Sequence, residues 1–127
     1  MSSLRYDDIV SRLLQKLPEF KVEYEELVEM FGEDVGPHVV FGALFHFVLE
    51  HCRALSAEPT PFSASHDTLH RAFNFIEEAA SSEDEDVENL VQVSFMEHMW
   101  QAGSEYETIV ARFGPASLKL LKGAESW

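Results

Sequence analysis

The sequence predicts an all-α protein, a single compact bundle of six to seven short helices that includes a HEAT-like helical hairpin. Apolar residues recur at three- and four-residue spacing along nearly the whole chain, and nowhere do they alternate as in a strand. Glycine and proline stand between these periodic segments, where helices end and begin. The chain of 127 residues is 46% hydrophobic, which suffices for one buried core, so residues 1–127 are expected to form one domain.

The first two helices are short and amphipathic. The first is expected over residues 6–16, and Pro18 suits the first turn of the second. Gly32 is expected to end the second helix in a left-handed conformation. The apolar residues of the second helix should form a buried stripe, consisting of Phe20, Tyr24, Leu27, Val28 and Phe31.

The third helix, expected over residues 37–55, is apolar on almost every side. A helix of that kind belongs at the centre of a bundle, covered by its neighbours. Gly42 within it is expected to let another helix approach closely. Pro59 and Pro61 forbid a continuous helix, so residues 56–64 are expected to form an irregular connection.

The fourth and fifth helices are expected over residues 65–80 and 84–102, joined by an acidic turn into the helical hairpin. Residues 82–85 fit a capping box that starts the fifth helix. Residues 104–107 fit a second box, which should open a short sixth helix. Gly114-Pro115 then turns the chain into a last, leucine-rich helix.

The charge balance is strongly acidic, with nine Lys and Arg against 23 Asp and Glu and a formal net charge of −14. This charge disfavours direct binding to nucleic acid and to anionic membranes. It favours a basic protein partner. The N-terminus lacks an apolar signal region, and the longest apolar run, residues 39–49, is too short to span a bilayer. We therefore expect a cytoplasmic protein.

Two groups of carboxylates are candidate partner-binding surfaces. Capping requires only one or two acidic residues, whereas the turn between the fourth and fifth helices carries five that repel one another. A partner bearing Lys or Arg could relieve that repulsion; the alternative is an ordinary solvated surface. The first group, here called the acidic corner, consists of Glu83, Asp84, Glu85, Asp86 and Glu88. The second, called the second acidic face, consists of Glu23, Glu25, Glu26 and Glu29.

No catalytic signature is present, so we expect no enzyme, no cofactor and no bound metal. His66 and His70 share one helix face, as do His46 and Glu50, but neither pair has the third and fourth ligands that a metal site needs.

Cys52 is the only cysteine, which excludes an intramolecular disulfide. It follows His51, but adjacent helical residues point in different directions and cannot form a nucleophile–base pair. Cys52 is therefore expected to be a small buried residue.

Several segments together resemble a family of small all-helical bacterial immunity proteins, the cytosolic antidotes to toxins of polymorphic toxin systems. They are FNFIEE (73–78), SSEDEDVEN (81–89) and VQVSFME (91–97), with PHVVFG (37–42) upstream and FGPAS (113–117) downstream. The resemblance implies that the protein neutralises a cognate toxin domain by tight, direct binding. It assigns no functional residue.

The leading hypothesis is thus an immunity-type inhibitor that binds a basic toxin domain, such as a nuclease, through its acidic surface. One alternative is a phage- or plasmid-encoded inhibitor that mimics nucleic acid and blocks a host nuclease complex. Another is a metal-dependent helical-bundle enzyme built on His46, Glu50, His66 and His70.

Overall fold

The computed structural model describes residues 4–57 and 64–125, and within them it contains helices and turns but no strand. This confirms the all-α bundle. The α-helices are α1 (Ile9–Lys16), α2 (Lys21–Phe31), α3 (Pro37–Ala57), α4 (Ala64–Ala80), α5 (Glu85–Ser94), α6 (Tyr106–Val110) and α7 (Pro115–Glu125). Three 3₁₀ segments accompany them, at Tyr6–Asp8, Pro18–Phe20 and Met96–Glu105. The predicted proline-containing connection falls largely on residues 58–63, outside the described residues.

Helix α3 lies at the centre, as its apolar sequence predicts, and packs against α1, α2, α4, α5 and α6. Its buried residues are Val40, Phe41, Leu44, Phe45, Phe47, Val48, Leu49 and Cys52. The prediction for Gly42 is wrong, because a Cβ atom at that position would have no neighbour within 4 Å.

Helices α4 and α5 form the predicted hairpin. The inward residues of α4 are buried as expected, namely Leu69, Ala72, Phe73, Ile76 and Ala79. The opposing residues of α5 are buried as well, namely Val87, Leu90, Val91 and Ser94. The turn that joins the two helices and the first turn of α5 carry the acidic corner, so the position of the corner depends on this packing.

The predicted fifth helix is too long, because α5 ends at Ser94 rather than at residue 102. Phe95 has φ −122° and ψ −61° at the break, and its buried ring contacts those of Phe45 and Phe113 at centroid distances of 5.5 and 6.3 Å. The chain then continues as a 3₁₀ segment. Side chains three residues apart share one line of such a helix, and the residues buried here have that spacing: Met96, Met99, Ala102 and Glu105.

Two glycines adopt a positive φ, one at the end of α2 and one inside the long 3₁₀ segment. Gly32 ends α2 with the expected positive φ, +89°, but its ψ of 174° lies outside the left-handed helical region that was expected. Gly103 interrupts the 3₁₀ segment with φ +57°. A positive φ favours glycine, because glycine has no Cβ atom to clash with the backbone. The capping box predicted at residues 104–107 is wrong, because the N-cap of α6 is Glu105 and no side chain caps it.

Helix α2 differs most from its prediction, since none of its residues is buried. Phe20, in the preceding 3₁₀ segment, is fully buried, but Phe31 at the other end is 57% exposed. The physical reason is the position of α2 at the edge of the bundle, where α3 and the preceding 3₁₀ segment are its main neighbours. The intervening apolar residues Tyr24, Leu27 and Val28 are half-buried.

Candidate functional site

The acidic corner presents four exposed carboxylates, those of Glu83, Glu85, Asp86 and Glu88. Among the described residues, none of these four side chains takes part in a hydrogen bond or an ion pair. No described cation of this chain therefore forms an ion pair with them. This arrangement leaves the four carboxylates available to an external partner.

Asp84, the fifth residue of the corner, has a structural role. Its Oδ1 accepts a hydrogen bond from the backbone N–H of Asp86 at 3.0 Å, which caps α5. Its Oδ2 accepts one from the N–H of Tyr6, also at 3.0 Å. These N–H groups, that of Tyr6 first, lower the pKa of Asp84 because they favour the ionised carboxylate. Both oxygen atoms are thus already used within the fold.

Ser82 braces the same turn from its buried side. Its hydroxyl donates to the carbonyl oxygen of Leu4 at 2.6 Å and accepts from the N–H of Asp84 at 3.0 Å. The predicted capping box, with Ser82 as the cap, is therefore wrong, because Asp84 is the N-cap. Together Ser82 and Asp84 attach the turn to the N-terminal segment at Leu4 and Tyr6.

The second acidic face lies on α2. Glu25, Glu26 and Glu29 are exposed, as expected. Glu23, expected to be solvated, is half-buried, and its Oε2 atom is buried without a hydrogen-bond partner. None of the four takes part in an ion pair among the described residues.

The cationic side chains that do form ion pairs lie elsewhere. Arg71 on α4 binds Glu19 through both terminal nitrogens, and it also binds Asp67 at 2.9 Å. The hydrogen bond from Arg71 is the main reason that the pKa of Glu19 falls to about 2. Arg12 pairs with Asp8 at 3.5 Å. These pairs join Glu19 to α4 and Arg12 to Asp8 at the start of α1. No described ion pair reaches either acidic surface, although the charge of Arg5 acts on Asp84 in the acidic corner.

The histidines considered as metal ligands are not assembled into a site. His46 and Glu50 are exposed on α3, and His66 and His70 are exposed on α4. In the described part of the chain, no three His, Cys, Asp or Glu side chains are grouped so that they could hold a metal ion.

A histidine–serine pair was missed by the sequence analysis. Nδ1 of His38 and the hydroxyl of Ser94 lie 2.6 Å apart, which joins the start of α3 to the end of α5. Such a pair can activate a serine nucleophile, but Ser94 is only 5% exposed. The role of this bond is therefore to give the buried hydroxyl of Ser94 a hydrogen-bond partner. A serine on an otherwise apolar helix stripe is the signal that such a partner is needed.

Cys52 is buried as predicted, and burial raises the pKa of its thiol to about 11. The thiolate is the reactive form, so burial and the raised pKa both disfavour reaction of Cys52 at neutral pH.

We expect a thiol reagent such as DTNB to label Cys52 at least ~100-fold more slowly in the native protein than in urea-unfolded protein at pH 7.5, because of its raised pKa and lack of access. Stopped-flow absorbance measures both rates. Equal rates would show that this part of α3 is open to solvent.

No helix in the described ranges is long and apolar enough to cross a membrane. Comparisons with curated proteins and with solved structures gave no significant match. A family model described as "Domain of unknown function (DUF7674)" matches residues 10–127. That description names no activity, so the resemblance to immunity proteins remains a prediction. Because the match covers nearly the whole chain, the protein belongs to the DUF7674 family.

Proposed function

We propose that this protein is a cytoplasmic, immunity-type inhibitor that neutralises a cognate bacterial toxin by direct binding through its acidic surface. It blocks the toxin by binding to it and does not catalyse a reaction. The partner is a basic protein, and the contact requires no cofactor.

The observation that carries this proposal is the acidic corner. Four exposed carboxylates stand within six positions, Glu83 on the turn that Ser82 and Asp84 brace and the other three in the first turn of α5, and none is paired with a cation of the described chain. The dipole of α5 favours negative charge in its first turn, whereas the mutual repulsion of the four carboxylates opposes this stabilisation. A cationic partner would relieve the repulsion between these carboxylates. Because hydrogen bonds already hold the turn, binding would cost little conformational entropy.

The charge of the whole chain supports the same partner. A net charge of −14 attracts a basic protein over distance and speeds the encounter at low ionic strength. Nucleases are basic where they contact phosphates. Carboxylates at fixed positions can compete for those same Lys and Arg side chains, so a nuclease domain is the toxin class that we favour.

The same surface supports a second candidate, a phage- or plasmid-encoded inhibitor that mimics nucleic acid and blocks a host nuclease complex. The chemistry of binding would be identical, because the exposed carboxylates would again take the place of phosphates. The two candidates differ in the identity of the partner: a product of a neighbouring gene in the first case, a host complex in the second.

Affinity capture tests the proposal. Tagged protein is incubated with lysate of the source organism and with cells that express a catalytically inactive copy of any neighbouring toxin-like gene. We expect one basic partner at equal stoichiometry, released by salt. The test variant changes Glu83, Glu85, Asp86 and Glu88 to Lys, and it keeps Asp84 because that residue caps α5.

The matched control variant makes four Glu or Asp→Lys changes at exposed positions outside both acidic surfaces, at Asp7, Asp34, Glu50 and Glu107. Both variants have the same net charge, so a general charge effect would weaken capture equally. We expect the corner variant to lose the partner and the control variant to retain it. Retention by both would refute the assignment of the corner.

A further inference from the structure

Helix α2 carries a groove that the rest of the described bundle does not fill. The groove has a volume of about 500 Å³ and is lined by Tyr24, Glu25, Val28, Glu29 and Glu33. Tyr24 and Val28 are half-buried and supply the apolar part of the groove, here called its floor. The three glutamates are exposed and supply its charged part, here called its rim. The groove exists because α2 lies at the edge of the bundle and buries none of its own residues.

The rim concentrates negative charge, since it places three glutamates side by side. Glu25 and Glu29 are one helical turn apart, a spacing at which like charges repel and weaken a helix. Glu33 follows just beyond the end of α2. Lys21, one turn before Glu25, forms no ion pair with it, and no described ion pair involves the rim. A cation brought by another molecule would therefore be the first to neutralise these carboxylates.

An apolar floor with a carboxylate rim matches one kind of side chain in particular. The arginine side chain combines an aliphatic stem, which packs on apolar surface, with a planar guanidinium that binds carboxylates through paired hydrogen bonds. The guanidinium also stacks on aromatic rings more readily than the lysine ammonium does. Tyr24 supplies such a ring within the groove.

We propose that the groove formed by Tyr24, Glu25, Val28, Glu29 and Glu33 is a docking site for arginine side chains of the protein partner. This inference rests on the proposed function for the existence of a basic partner, and it names the group by which that partner is recognised. The acidic corner supplies long-range attraction, and the groove supplies a contact that includes apolar and aromatic surface.

Charge also argues against two other occupants. A second copy of the chain would bring its own acidic α2 against this rim, and an anionic membrane would be repelled in the same way. Both remain measurable: sedimentation velocity reports a dimer, and flotation with phosphatidylserine vesicles reports membrane binding. Either result at the groove would overturn the proposal.

The direct test is a titration of ¹⁵N-labelled protein with a hexa-arginine peptide at 150 mM NaCl. We expect amide shifts to concentrate on residues 24–33 and the ring protons of Tyr24 to shift upfield. A hexalysine peptide should bind several-fold more weakly, because the ammonium stacks poorly. Equal affinity for both peptides, or shifts confined to residues 83–88, would overturn the proposal.

Two variants of equal net charge distinguish binding at the groove from attraction by the overall negative charge of the protein. Glu25→Gln with Glu29→Gln should weaken hexa-arginine binding at least ~10-fold. Glu50→Gln with Glu107→Gln, both exposed and outside the groove and both acidic surfaces, should weaken it less than twofold. We expect the first variant to melt at the same temperature or higher, since it removes repulsion along α2. Equal weakening by both pairs would contradict a specific site.

The peptide titration does not require the natural partner, so its outcome is independent of the affinity capture. Peptide binding at the groove with no captured partner would count against the proposed function alone. Capture of a partner whose binding survives Glu25→Gln with Glu29→Gln would count against the groove alone.

Discussion

The variant Phe45→Ala is expected to lose about 3–5 kcal/mol of unfolding free energy relative to the wild type. Phe45 is fully buried on the central helix α3, and its ring packs edge-on against that of Phe95 at 5.5 Å. Truncation removes the apolar area of the ring and leaves a cavity where α3, α5 and the long 3₁₀ segment meet. Urea denaturation followed by circular dichroism measures the loss.

Phe31→Ala is the matched control, since it makes the same change at a residue that is 57% exposed. We expect its effect to be below about 1 kcal/mol, as for most surface substitutions. Equal losses for both variants would mean that α2 packs into the core more tightly than the structure shows.

The variant Glu77→Ala is expected to lose about 2 kcal/mol, because it uncaps α7. The carboxylate of Glu77, on α4, accepts hydrogen bonds from the backbone N–H groups of Ala116 and Ser117 at 3.0 Å and from the hydroxyl of Ser117 at 2.8 Å. These groups form the start of α7, so one side chain of α4 holds the last helix in place. Thermal unfolding of the variant measures the loss, and Glu77→Gln should lose less because it keeps an acceptor oxygen.

The contribution of Glu77 should depend on pH. Burial raises the pKa of Glu77, but the hydrogen bonds from Ala116 and Ser117 outweigh this effect, so the pKa lies below its usual value of 4.5. A carboxyl whose pKa is lower in the folded state stabilises the protein above its unfolded pKa, and that stabilisation is lost as the pH falls through the folded pKa. The stability gap between wild type and Glu77→Gln should be full at pH 6 and shrink below pH 4. A constant gap would contradict this assignment.

The sequence predicted the fold where the helices are long and regularly patterned. In α4, five apolar residues at helical spacing are all buried as expected. In α3, apolar residues on nearly every side indicated a central position, which the structure confirms. Both predictions rest on a pattern that repeats over many neighbouring residues, so one residue that departs from the pattern does not change the prediction.

Features that depend on contacts distant in sequence could not be predicted in the same way. The end of α5 at Ser94 places Phe95 between Phe45 and Phe113, and a helical pattern of apolar residues continues unbroken through that point. Gly114 was interpreted as a turn residue, whereas a Cβ there would lie 2.5 Å from Cδ of Glu77. Its small size is needed for the cap on α7.

The candidate site was predicted in outline only. The acidic corner lies at an exposed turn, as its charge indicated, but nothing local revealed that Asp84 binds the N–H of Tyr6 or that Ser82 binds Leu4. Both bonds join residues 78 positions apart. The open position of α2 was missed for a similar reason, because its apolar stripe looks the same whether or not a neighbour covers it.

The central claim is that the acidic corner binds a basic partner, and the most direct measurement is the association rate constant as a function of ionic strength. It is measured by stopped-flow fluorescence with the captured partner for the wild type, for the corner variant, and for the control variant changed at Asp7, Asp34, Glu50 and Glu107. We predict fast, steeply salt-dependent association for the wild type and the control, and a slow rate with a flat salt dependence for the corner variant. Equal rates and equal slopes for the two variants would contradict the claim.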